Sequence, residues 1–188
     1  VRLAEVVAAS AAVASTAARL AKISHLSSLL QRVPPDELAI VIPYLSGDTR
    51  QGRIGIGGAL LSSLRDVPPA SEASLELADV DAAFGRIASA AGAGSATARA
   101  QVLRQLLERA TADEQDFLIR LLFGELRQGA LEGVLTDAVA RAAGIPPAQV
   151  RRAAMLAGDL APVARTALVE GEPGLAHFIL QPFQPVQP

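Results

Sequence analysis

The sequence predicts an all-helical protein, a multi-helix domain made of two pseudo-symmetric related halves, and three observations predict it. Apolar residues recur at spacings of three and four, as in Leu20, Ile23, Leu26 and Leu30, which is the period of one helix face. Ala, Leu and Arg dominate and aromatics make up only 3% of the chain, a composition that favours helix over sheet. The third observation is an internal repeat. Residues 36–52 and 113–129 align without a gap, with Asp36, Glu37, Leu45, Gly47, Arg50, Gln51 and Gly52 finding identical partners at Asp113, Glu114, Leu122, Gly124, Arg127, Gln128 and Gly129. The same offset sets Leu26, Leu29, Leu30 and Arg32 on Leu103, Leu106, Leu107 and Arg109, and Lys22 against Arg99.

Taken in order, Val6 to Ala18 reads as an Ala-rich helix, too short to span a bilayer and interrupted in front by Glu5. The periodic segment from Leu20 follows, and Pro34 and Pro35 separate it from the next. Leu38 to Leu45 is rich in Ile and Val and leads into G-R-I-G-I-G-G at Gly52 to Gly58, so a strand and a glycine-rich phosphate loop are a rival assignment. No Lys-Ser or Lys-Thr follows, and the matching stretch Phe117 to Phe123 reads as helix, so helix is preferred here too. Val67 to Ser74, with Pro68 and Pro69, connects the halves, which span about 1–66 and 75–144. Ala90 to Ser95 is a turn. Thr111 with Glu114 forms a T-x-x-E capping box, Gly144 closes a helix, and Pro146 and Pro147 open another within a C-terminal group at 147–180. Residues 181–188 read as a Pro-rich linker.

Each half is expected to end an apolar helix at a left-handed glycine and to open the next helix at an R-Q-G turn. The first N–H groups of a helix are unpaired and carry partial positive charge, so such a turn receives anions. With Arg50 or Arg127 beside it, and no side chain at Gly52 or Gly129, a phosphate oxygen can come close.

A net charge of −2 excludes a bulk-electrostatic DNA binder, but the charge is segregated. Arg2, Arg19, Lys22 and Arg32 face only Glu5 in residues 1–35, and Arg50, Arg53 and Arg65 lie in a stretch free of acids. Acids gather at Glu72, Glu76, Asp79 and Asp81 and again at Glu170 and Glu172. Catalytic constellations are nearly missing: there is no cysteine, and His25 and His177 lack metal-ligand spacing. Asp113, Glu114 and Asp116 cluster where a helix dipole already accounts for them. A cytoplasmic protein is the expectation.

The helix S-T-A-A-R-L-A-K at Ser15 to Lys22, F-L-I-R-L-L-F-G-E-L-R-Q-G at Phe117 to Gly129, M-L-A-G-D-L-A-P-V-A at Met155 to Ala164 and the exit Q-P-F-Q-P-V-Q-P at Gln181 to Pro188 occur in one order. In that order they resemble the N-terminal DNA-binding domain of ATP-dependent DNA ligases, over essentially the whole chain. The resemblance implies an all-helical domain of two related halves that lies across the minor groove of nicked double-stranded DNA and supplies affinity, not chemistry. It implies that ATP and Mg2+ belong to an adenylation domain following Pro188, that an OB-fold domain completes the parent enzyme, and that this segment holds no cofactor. The only lysine, Lys22, precedes Ile-Ser-His and does not fit the family's K-x-D-G adenylation motif. It implies no membrane partner and a nucleoid-associated location. The DNA-binding candidates are Arg19, Lys22, Arg50, Gly52, Arg53, Arg99, Arg127 and Gly129. Two other functions stay open from the residues alone: a helical protein-interaction scaffold, which needs an exposed apolar groove, and a nucleotide-binding domain, which needs a true strand before Gly52.

Overall fold

The computed structural model describes residues 1–52, 54–126 and 129–179, and among them every regular element is a helix. In chain order these are α1 Leu3–Ala14, α2 Arg19–Leu30, α3 Leu38–Ser46, α4 Gly58–Ser63, α5 Leu77–Ser89, α6 Ser95–Arg109, α7 Ala112–Phe123, α8 Gly129–Ala143, α9 Pro147–Ala157, α10 Leu160–Val169 and α11 Gly171–Leu175. The strand that a nucleotide-binding reading requires before Gly52 is α3, a helix with Leu38, Ile40, Val41, Ile42, Tyr44 and Leu45 all buried. Burial on nearly all sides explains its unbroken apolar run, because a helix inside a core has no polar face to show. That rival is therefore corrected.

Local chemistry sets most of the ends. Thr111 Oγ1 accepts from the Glu114 N–H at 3.4 Å while Glu114 Oε2 accepts from the Thr111 N–H at 2.8 Å, the two-way cap expected from T-x-x-E. Gly47 and Gly124 stop α3 and α7 at φ of 82° and 74°. Each is followed by the same reach-back bond, Asp48 N–H to the Pro43 carbonyl and Glu125 N–H to the Arg120 carbonyl, both 2.9 Å. This pairing satisfies carbonyls that a helix end leaves orphaned. Asp159 caps α10 by accepting from the Ala161 N–H at 2.9 Å.

Two boundaries differ from expectation. The Ala-rich first helix ends at Ala14, and Ser15 to Ala18 form a turn in which Ser15 Oγ donates to the Ala12 carbonyl and Thr16 Oγ1 accepts from the Ala18 N–H. Hydroxyls that bond the nearby backbone compete with the helix and end it. In the first half, Gly52 does not open a helix; α4 begins at Gly58. The two R-Q-G turns continue differently, with R-I-G-I-G-G in the first half and A-L-E-G in the second. Three further glycines, each costing about 1 kcal/mol in a helix relative to Ala, delay the first helix, whereas α8 starts at Gly129.

The eight helices α1–α8 fall in the order of the repeat, but the halves interlock. α8 packs mainly on α2, α7 on α1, and α3 touches α5 as well as α8, so helices of one half find partners in the other. At the α3–α5 junction the Tyr44 and Phe84 rings meet with centroids 6.0 Å apart at 52°, a tilted aromatic pair. The starts of α1 and α5 are tied by the Leu3 N–H to the Leu75 carbonyl at 2.8 Å and the Leu77 N–H to the Val1 carbonyl at 3.0 Å. α9, α10 and α11 close over α8 and α3, and the buried apolar residues form one continuous core.

Candidate nucleic-acid interface

The first R-Q-G turn is clamped to α5. Asp81, 7% exposed, accepts a bidentate pair from Arg50, through Nε at 3.2 Å and through Nη2, and a third bond from Gln51 Nε2 at 2.7 Å. Gln51 Nε2 also reaches the Asp81 carbonyl at 3.2 Å. A buried carboxylate needs such partners, since an unpaired one keeps its full desolvation cost. The clamp uses two of the five guanidinium N–H donors, and the Arg50 side chain remains half-exposed. Beside it lies Tyr44, whose hydroxyl is buried without a hydrogen-bond partner among the described residues. Burial first, and then the Asp81 charge, push its pKa well above the usual tyrosine value, with Arg50 pulling the other way.

Beyond the clamp the chain runs through an exposed glycine backbone. Gly52 has φ 67°, its N–H donates to the Thr49 carbonyl at 2.9 Å, and a Cβ there would meet nothing within 4 Å. This loop faces the end of α7 across a cleft of about 320 Å³ lined by Thr49, Gly52, Ile54, Ile56, Phe123 and Gly124, among others. The structure thus brings the turn of the first half against the glycine-capped helix end of the second.

The predicted cations divide into distinct settings. Arg99 of α6 reaches to the C-terminus of α5, where Nε bonds the Ile87 carbonyl at 3.3 Å and Nη2 the Ala90 carbonyl at 2.6 Å; Nη1 reaches the Gly55 carbonyl at 3.4 Å. It supplies the donors that helix end lacks and pins the glycine loop to α5. Arg19 opens α2 and joins it to α8, with Nη2 bonding Asp137 Oδ2 at 2.7 Å and the Gly133 carbonyl at 3.2 Å; it is 56% exposed. Arg151 of α9 pairs with the same Asp137 at 3.3 Å. Lys22 is partly exposed on α2, and its side chain makes no hydrogen bond or ion pair to the described residues. Arg53 and Arg127 lie outside the described residues, and of Gly129 the structure gives its place as the first residue of α8.

Some features were missed in the sequence. Asp81, grouped above with an acidic joint, is the anchor of the first turn, and only the approach of α5 reveals it. Arg65, Arg86, Arg104, Arg141, Arg152 and Arg165 stand exposed without ion pairs among the described residues. Phe123, at the end of the segment read as helix, is 39% exposed. Among the described residues no cluster of His, Cys, Asp or Glu is arranged to hold a metal, and no helix is long and apolar enough to cross a membrane.

Comparison with known proteins bears on this arrangement. The sequence model of the DNA ligase N terminus matches residues 56–140. Residues 56–140 belong to the DNA ligase N-terminal family. A protein of Anaeromyxobacter dehalogenans named Probable DNA ligase is 58% identical over 188 residues, covering 99% of this chain and 37% of its own length. A Mycolicibacterium gilvum protein of the same name is 53% identical over 187 residues, covering 99% of this chain and 36% of its own, and one from Beutenbergia cavernae is 52% identical over 182 residues, at 96% and 35%. The ligase N-terminal domain here therefore spans little more than a third of the length of the curated relatives it matches. The matched region contains α4 to most of α8 and takes in one wall of the cleft beside Phe123, and both R-Q-G turns fall within the stretch these relatives share.

Proposed function

We propose that this domain binds double-stranded DNA without regard to sequence, through the minor groove and the phosphate backbone, as the non-catalytic DNA-binding part of an ATP-dependent ligase acting on nicked duplex. The observation that carries the reading is the meeting of the Gly52 turn with the Gly124 helix end, where bare backbone is exposed in a member of the ligase family. A ligase must accept any sequence, so its DNA-holding surface should contact phosphates and sugars rather than base edges in the major groove. Lys22 offers a charge with no partner among the described residues. Arg19 and Arg50 keep exposed donors beside their carboxylate partners, while Arg99 orders the glycine loop from behind. Arg53 and Arg127 follow from the sequence, and Gly129 at the start of α8 is the second close-approach position. ATP and Mg2+ are assigned to an adenylation domain of the parent enzyme, which together with an OB-fold domain would close around the DNA.

If roughly five phosphates are neutralised, affinity should fall with about the fourth to fifth power of salt, on the order of several hundredfold between 50 and 200 mM. Fluorescence anisotropy of nicked, intact and single-stranded DNA across a salt series tests this. Salt-steep duplex binding with little sequence dependence is expected. Absence of duplex binding at low salt, together with failure to restore ligation to a catalytic region supplied in trans, would overturn the reading.

A further inference from the structure

One carboxylate on α8 holds two arginines that come from two other helices. Asp137, its side chain 15% exposed, receives Arg19 of α2 on Oδ2 at 2.7 Å and Arg151 of α9 on Oδ1 at 3.3 Å. A single negative charge offsets one guanidinium and leaves the other over. Arg151 is held by charge alone, because Oδ1 is buried without a hydrogen bond, so none of the Arg151 donors is spent on it. Arg19 makes both of its bonds, to Asp137 and to the Gly133 carbonyl, through Nη2, which leaves Nε and Nη1 without a partner among the described residues. The two arginine side chains are 56% and 60% exposed. Lys22 stands three residues beyond Arg19, on the same side of α2.

The cluster also lies in line with the second R-Q-G turn. Gly129, Gly133, Asp137 and Arg141 recur every four residues and so share one side of α8, where Gly133 and Arg141 are exposed. Asp137 is about 12 Å along the helix from Gly129, the reach of roughly three or four nucleotides at 3.4 Å each along one strand. The other acid of α8, Glu132, lies about 140° round the helix from Asp137 and lines the cleft against α3 and α10 instead.

From this placement we infer that Arg19 and Arg151 grip one phosphate of the bound duplex together, with Asp137 as the post that sets their spacing. The inference rests on the proposed reading of the domain as a DNA binder and deepens it, by carrying the interface onto α9. Two guanidinium groups drawn to one carboxylate repel each other, and a phosphate between them restores the balance of charge. The flat fork of each guanidinium matches phosphate oxygens, and the unspent donors are the ones available to meet them. Neither arginine falls within residues 56–140, the stretch that the ligase family model matches.

The test replaces one phosphate at a time by an uncharged methylphosphonate along each strand of a nicked duplex and measures binding by anisotropy. Wild type should lose about tenfold in affinity at the gripped phosphate, the low end for a hydrogen bond to a charged group. Arg151→Ala and Arg19→Ala should each bind the unmodified duplex about tenfold more weakly, with a salt slope shallower by about one. Both should lose their sensitivity to methylphosphonate at the same position. Arg151→Lys keeps the charge without the fork, so it should keep the wild-type slope and recover part of the affinity. Arg152→Ala, which removes an exposed charge that has no ion pair to Asp137, should keep the wild-type dip at that position. Far-ultraviolet circular dichroism and urea midpoints near those of wild type, expected for exposed pairs, show that the variants fold. Salt-dependent duplex binding in which Arg151→Ala matches wild type, or in which the two alanine variants lose sensitivity at different phosphates, overturns this inference alone. No salt-dependent binding of any duplex by wild type overturns the DNA-binding reading and this inference with it.

Discussion

Replacing Arg50 with Ala measures how firmly the first R-Q-G turn is held. Asp81 is 7% exposed and takes two bonds from Arg50 and one from the Gln51 side chain. Removing one partner of a fully buried ion pair costs about 3–5 kcal/mol, because the surviving charge keeps its desolvation penalty. Here the guanidinium is half-exposed and Gln51 still serves the carboxylate, so a loss of about 2 kcal/mol is expected. For a domain of this size that lowers Tm by about 4–8 °C. Urea unfolding followed by far-ultraviolet circular dichroism should show an earlier midpoint with unchanged slope. Asp81→Ala removes the carboxylate that Arg50 serves, so in that background Arg50→Ala should cost less, by about 1 kcal/mol or more. Effects additive to within about 0.5 kcal/mol would refute the clamp. DNA titration of the same variants reports separately, since losing one phosphate contact shallows the salt slope by about one.

Tyr44 is the only tyrosine and there is no tryptophan, so tyrosinate absorbance reports it alone. Its pKa is raised in the folded state above the ordinary 10.0. Its contribution is therefore intact below pH 10 and is lost as pH climbs from there toward the folded value; wild type should lose stability above pH 10 faster than Tyr44→Phe, with tyrosinate appearing only on unfolding. Equal pH dependence in the two proteins would contradict this. Thr111→Ala should cost about 1 kcal/mol by removing the α7 cap, read as a fall in urea midpoint. Gly52→Ala meets no neighbour but forces a left-handed residue, so it should destabilise by about 1–2 kcal/mol, again read from the urea midpoint. The same variant should weaken duplex binding in the anisotropy assay more than Thr111→Ala does; an equal effect would remove the Gly52 backbone from the interface.

The helical architecture was legible because its signals are local. Spacing, Thr111 with Glu114, and the glycines at 47, 124 and 144 act within a turn or two of themselves, and the repeat doubled the evidence for the caps. The partners of the basic residues were not legible, because ion pairs are chosen by tertiary approach. Asp81 lies 31 residues from Arg50, and Asp137 lies 118 from Arg19. The repeat itself misled at two points. It matched Lys22 to Arg99, yet Arg99 is spent on carbonyls of α5 while the Lys22 side chain has no partner among the described residues, since equivalent positions on related helices need not meet equivalent neighbours. It also led to a helix at Gly52, where the glycines that follow defer it to Gly58.

The pairing of α2 with α8 also sets a timetable for synthesis. The buried face of α2, with Ile23, Leu26, Leu29 and Leu30, belongs to a helix whose main partner comes more than a hundred residues later, as the 118-residue separation of Arg19 and Asp137 marks. At about 5–20 residues per second a ribosome needs roughly 6–24 s to make that interval. Throughout it the nascent α2 has α1 beside it but lacks α8, so part of its apolar face stays uncovered, the kind of surface that recruits chaperones. The domain is thus a late closer: its repeated halves are made one after the other but fold as one.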